Sequence, residues 1–219
     1  MSYVTTIATG RKVKIKEGDF EGLKKEKNGS IKVVGYQSII KDLNKNYPDF
    51  SKKIVFFGEK LKGEGIAYIG EDSSSIIACD KNGIIKNGEI ETIYEEKWLK
   101  ERTESFLKDS NILVLSYDIE GREERISLLN KYLEDMDDHN IVIIPKKLSD
   151  NMKKVVNSSL VPIMYKAPHI KPGILTSDST KRKGIVTNLD IFPQIMSIYD
   201  VNNSVNIGKS FKIYSSNDP

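Results

Sequence analysis

The stretch V-P-I-M-Y-K-A-P-H-I-K-P-G-I-L-T-S-D-S-T-K-R-K-G-I-V-T-N-L-D-I-F-P-Q-I-M-S-I-Y, residues 161–199, decides the fold. Residues 161–165 are apolar enough for a buried strand. Pro168, Pro172 and Gly173 then punctuate a loop, because proline fixes φ and glycine frees it. A helix follows, its entry marked by Asp190 and Pro193.

Two earlier runs share the character of that strand, Ile112-Leu113-Val114-Leu115 and Ile141-Val142-Ile143-Ile144. An uninterrupted apolar run is the mark of a strand covered on both faces, the condition inside a parallel sheet. Helices are expected between such strands. Residues 98–107 fit one, and residues 123–136 fit another with Ile126, Leu129 and Leu133 on one face. Upstream, residues 36–47 carry Ile39, Ile40 and Leu43 at helical spacing and stop at Pro48. Residues 56–63 read as a further helix, 66–69 and 76–79 as strands, and Asn82-Gly83 as a turn suited to positive φ. This alternation predicts an α/β fold with a doubly wound, mainly parallel sheet and helices on both faces. The runs at 112–115, 141–144 and 161–165 should be parallel neighbours. A single domain over 1–219 is expected, with 12–30 an exposed loop and 203–219 a tail.

At 219 residues the chain can bury one sizeable core. Charged residues make up 30% and nearly cancel, leaving +3, too little to argue for a nucleic-acid partner. Cys79 is the single cysteine, so no internal disulfide can form. Its apolar neighbours Ile76, Ile77 and Ala78 mark it as a small buried side chain rather than a reactive thiol. No stretch reaches the ~18 apolar residues of a membrane span. The N-terminal Met-Ser-Tyr-Val-Thr-Thr lacks the basic-then-apolar layout of a signal peptide.

Several motifs occur in a meaningful order. Gly184-Ile185-Val186 is followed by Asp190-Ile191-Phe192-Pro193-Gln194-Ile195. Residues 57–70 give a helix-to-strand unit with Gly58, Leu61, Gly65, Ile66 and Gly70. Residues 79–85 give an Asp80-x-x-Gly83 turn, and residues 3–11 end in Ala8-Thr9-Gly10-Arg11. This set resembles the alkaline-phosphatase-like superfamily of phosphatases, sulfatases, nucleotide pyrophosphatases and cofactor-independent phosphoglycerate mutases, in a degenerate bacterial form. The resemblance implies that family's core lacking its first strand, either because the chain is a fragment of a longer parent, the favoured reading, or because the lineage has lost that strand. It also suggests an extracytoplasmic setting, with the parent attached to a membrane.

The same resemblance sets expectations for chemistry. Such enzymes activate a Ser or Thr nucleophile with two divalent metals held by Asp and His. One ligand pair comes from an Asp-x-x-Gly-His motif. Here that place reads Asp118-Ile119-Glu120-Gly121-Arg122, and an arginine has no lone pair to give a metal. A second pair should follow the strand at 141–144, where the chain reads Pro145-Lys146-Lys147-Leu148. His169 lies in the last loop, while His139 precedes its strand, away from the strand carboxyl ends where ligands bind.

The expectation is therefore a metal-site-eroded, non-catalytic module that binds or supports, with no cofactor and with Asp118 a vestigial ligand. Arg122, Lys146 and Lys147 are the candidate groups for a small anion, Arg122 through its bidentate fork. Asp118 equally reads as a solvated loop acid or a helix N-cap, and His169 as a plain loop residue. Lys181-Arg182-Lys183 with Lys171 reads as a basic patch for an anion or as a solvated loop. Gly208-Lys209-Ser210 is no phosphate loop, because Asn203 stands where the first glycine is required and no helix follows. The competing readings are a metal-dependent phosphatase or phosphodiesterase whose missing ligands lie outside the chain, and an unrelated α/β domain for a sugar or nucleotide.

Overall fold

Ile66, Ala67, Tyr68 and Ile69 are all buried, and this strand is the centre of a three-stranded parallel sheet. The computed structural model describes residues 1–48, 55–146, 160–201 and 207–215. In chain order the elements open with α1 (Ser2–Thr9), a 3-10 turn (Glu17–Asp19), β1 (Gly22–Lys25), β2 (Ile31–Val34) and α2 (Tyr36–Asn46). Then come α3 (Phe57–Lys60), β3 (Ile66–Ile69), α4 (Ser75–Ala78), β4 (Ile84–Ile85), β5 (Asn87–Glu89) and α5 (Glu96–Leu107). The remainder is β6 (Ile112–Leu115), α6 (Glu123–Glu134), β7 (Ile141–Ile143), β8 (Met164–Lys166), β9 (Ile174–Thr176), α7 (Asn188–Ile198) and β10 (Lys212–Tyr214).

The chain is α/β, but its strands form four small sheets among the described residues. β5, β3 and β6 are parallel; β1-β2-β4, β7-β8 and β9-β10 are antiparallel. The expected single doubly wound sheet is therefore corrected. Of the three apolar runs, only Ile112–Leu115 is parallel to a neighbour, Ile66↔Ile112 through Ile69↔Leu115. The other two pair with each other antiparallel, Ile141↔Lys166, Val142↔Tyr165 and Ile143↔Met164. Continuous apolar character predicts burial on both faces. Instead β6 is half-buried at a sheet edge, β7 is half-buried, and β8 alternates with Met164 exposed. Pro162 has no N–H for a ladder, and the strand begins only at Met164.

Two compact units are distinguishable. One holds residues 1–92, 102–117 and 173–219, the other 93–101 and 118–172. The first contains the hydrophobic core, in which Val4, Ile39, Phe57, Tyr68, Ile76, Phe192 and Met196 are buried together. Phe57 and Phe192 meet edge to face at 5.5 Å, a favoured arrangement of ring quadrupoles. Residues 4–9 of α1 are buried all round despite a β-branched run that disfavours helix. Their hydroxyls are satisfied locally: Thr9 Oγ1 donates to the Thr5 carbonyl at 2.7 Å and Thr5 Oγ1 to the Met1 carbonyl at 3.2 Å.

Residues 76–79 also differ from expectation, lying largely in α4 rather than a strand. Asp72 starts that turn, its carbonyl accepting from Ser75 N–H and its Oδ1 from Ser74 N–H at 2.7 Å. An apolar run of four cannot by its period distinguish strand from buried helix. The Asn82-Gly83 turn forms as read: Gly83 has φ +76, and Asp80 Oδ1 accepts from Asn82 and Ile84 N–H. Residues 12–30 contain β1 and bury Val13 and Ile15, and residues 212–214 form β10.

Asp19 in the 3-10 turn lies within hydrogen-bond reach of Asp42 on α2, and the Oδ2 atom of each is buried without a donor. Burial first, then the hydrogen bond and repulsion from Asp42, push the Asp19 carboxyl up, with Lys16 pulling the other way. A raised folded-state value means that stability is lost as pH rises through it. Asp42→Asn should therefore raise stability near neutral pH, with the gain shrinking as pH falls; urea titrations across pH would show this.

The start of α7 is held by one carboxylate. Asp190 is wholly buried, and its Oδ1 accepts from Ser179 Oγ at 2.5 Å and Lys209 N–H at 2.9 Å. Its Oδ2 accepts from Ser177 Oγ at 2.7 Å and Thr187 N–H at 2.8 Å. Burial alone would push this carboxyl up, but the four donors outweigh it and hold it below the usual range. That contribution is present above the unfolded-state value and is lost as pH falls through the folded one. Asp190→Asn should cost at least about 2 kcal/mol at neutral pH, and the deficit should narrow toward acid in the same titrations.

Candidate functional site

The loop after β6 carries the residues for which chemistry was expected, and its backbone is shaped by Gly121. That residue has φ +66, the left-handed region that glycine enters without strain. Arg122 follows as the N-cap residue of α6, exposed, with no side-chain cap bond. Arg125, in the first turn of the helix, reaches back across the loop. Its Nη1 donates to the Asp118 carbonyl at 3.0 Å and to Asp118 Oδ2 at 2.9 Å. The other carboxylate oxygen, Oδ1, accepts from Glu120 N–H at 3.0 Å.

Tyr94 completes the arrangement. The Arg125 guanidinium carbon sits 3.3 Å from the Tyr94 ring centroid, and Tyr94 Oη accepts from Asp118 N–H at 3.3 Å. Stacking on an aromatic face suits arginine, whose planar cation is weakly hydrated. The side chain of Arg125 is only 12% exposed, against 61% for Asp118. A mostly buried cation therefore faces a carboxylate open to solvent. The carboxylate is engaged on both oxygens by the protein itself.

The remaining expected residues do not gather here. Lys146 is exposed three residues beyond β7, and Lys147 lies outside the described residues. His139 is exposed in the turn before β7, its N–H bonded to the Met136 carbonyl. His169 is exposed with φ +64, in a turn where Ile170 N–H bonds to the Ala167 carbonyl. Among the described residues no group of three or more His, Cys, Asp or Glu is placed to hold a metal ion.

Arg125 and Tyr94 were missed by reading the motif alone. The available signal was Arg125 in the first turn of a helix preceded by an acidic loop residue. The contribution of Tyr94, 24 positions before Asp118, carries no local mark. The chain matches no protein-family model, no curated protein and no solved structure.

Removing the cation should loosen the loop. Arg125→Ala should cost about 1 kcal/mol and speed amide exchange at residues 118–122. Arg125→Lys should restore little of either, since an ammonium lacks the planar fork. Hydrogen-exchange mass spectrometry on the three proteins checks this.

Proposed function

We propose that this chain acts without catalysis, as a binding or structural module in which protein cations have replaced a former metal site. The observation that carries this reading is the Arg125 guanidinium on Asp118 Oδ2. If Asp118 descends from a metal ligand, as the motif order suggests, a fixed positive charge now fills the role of the ion. Arg122, at the position where the resemblance implies histidine, adds a second cation that cannot ligate a metal.

The exposed fork of Arg122 suits a small anion such as phosphate or a carboxylate. The extracytoplasmic setting belongs to the same proposal and rests on the resemblance alone.

Purified protein should hydrolyse aryl phosphates, phosphodiesters and aryl sulfates at the buffer rate, with or without added Zn²⁺ or Mn²⁺. Calorimetric titration with Mn²⁺ should show no tight site. Two stoichiometric sites together with turnover would overturn the proposal in favour of a metal-dependent phosphoric-ester hydrolase.

A further inference from the structure

The β9-β10 sheet and the loop that follows β9 carry an exposed surface of mixed character. Ile174 and Tyr214 are direct cross-strand partners, and both are exposed, at 43% and 47%. The Lys183 ammonium lies 5.0 Å from the Tyr214 ring centroid. Lys181 and Arg182 precede it in the loop, all three exposed and, among the described residues, none in an ion pair. Lys212, two residues from Tyr214, is paired with Asp178 at 2.7 Å.

This loop is fixed from within. Thr176 Oγ1 donates to the Arg182 carbonyl at 2.8 Å, Thr180 Oγ1 to the Ile185 carbonyl at 2.7 Å, and Gly184 N–H to the Leu175 carbonyl at 2.9 Å. Ser177 and Ser179 are anchored on Asp190. Lys181 is held at φ +55, a conformation that costs a non-glycine residue energy unless its surroundings impose it. The polar side chains of the loop thus turn inward to fix its backbone, while its cations face solvent.

We infer that this surface docks on an anionic lipid bilayer. Three adjacent cations are drawn to a negatively charged surface, and long basic side chains keep their heads in the polar layer while their stems cover apolar surface. An exposed isoleucine beside a tyrosine adds the apolar and amphipathic contact that favours the headgroup boundary. A purely electrostatic partner such as nucleic acid would leave Ile174 without a role. No helix among the described residues is long and apolar enough to cross a membrane. This contact is independent of the Asp118 loop and of whether that loop has lost a metal.

Flotation of the full chain with vesicles of phosphatidylcholine, with and without phosphatidylglycerol, tests this. Binding should require phosphatidylglycerol and weaken as salt rises. Arg182→Glu with Lys183→Glu should lower the partition coefficient by about tenfold or more. Ile174→Ser with Tyr214→Ser should lower it several-fold with every charge intact. Lys24→Glu with Lys60→Glu, a reversal elsewhere in the same unit, should leave it near wild type, and circular dichroism verifies folding of each variant. The inference is overturned by no binding to anionic vesicles, by equal loss in the Lys24/Lys60 control, or by full binding of the Ile174/Tyr214 variant.

Discussion

A single buried carboxylate, Asp190, joins three separate segments of the larger unit. Its four donors come from the loop after β9, from the residue before α7 and from the backbone at Lys209. Burying an ion this completely is costly unless every lone pair finds a donor, and here the donors are in place. The arrangement fixes where α7 starts, and α7 delivers Phe192 and Met196 to the core. A second constraint acts beside it. Pro193 has no N–H to give the Leu189 carbonyl one turn earlier, and Gly208 packs against that carbonyl so closely that a Cβ would lie 2.1 Å from the oxygen. Only a residue without a side chain fits there, and it places Lys209 within reach of Asp190.

The two units differ in what holds them together. The first buries aromatic and aliphatic side chains from α1, α2, α3, β3 and α7 in one cluster. Among the described residues of the second, Leu99 and Tyr132 are the buried hydrophobic side chains. Polar ties among its described residues include Lys100 with Glu96 and Asp135, Lys166 with Asp137, and Arg125 with Asp118. A solvent-exposed pair such as Lys166 with Asp137 contributes about 0–1 kcal/mol. A two-stranded sheet such as β7-β8 adds little stability by itself.

Much of the local structure was legible in the chain. The spacing of Ile39 and Leu43 gave α2, the Asp80 to Gly83 turn was marked by Asn-Gly, and Asp190 with Pro193 marked α7. The candidate site was legible only in part. Asp118, Gly121 and Arg122 stood out because a motif frames them, and the left-handed turn at Gly121 accounts for its glycine. Arg125 and Tyr94, which settle the electrostatics of that loop, did not. Their partnership depends on residues distant in sequence being brought together, which no local pattern encodes.

By itself the sequence determined the mixed α/β character and the positions of most helices and turns. These follow from periodicity, from the special backbone freedom of glycine and proline, and from the donor inventory of each side chain. Tertiary structure alone decided the sheets. Apolar runs of four residues satisfy a parallel interior, an antiparallel pair or a short helix equally well, because each merely asks to leave water. Whether Ile112–Leu115 lies at an edge, and whether Ile141–Ile143 runs against Met164–Lys166, depends on which backbone donors and acceptors meet in space.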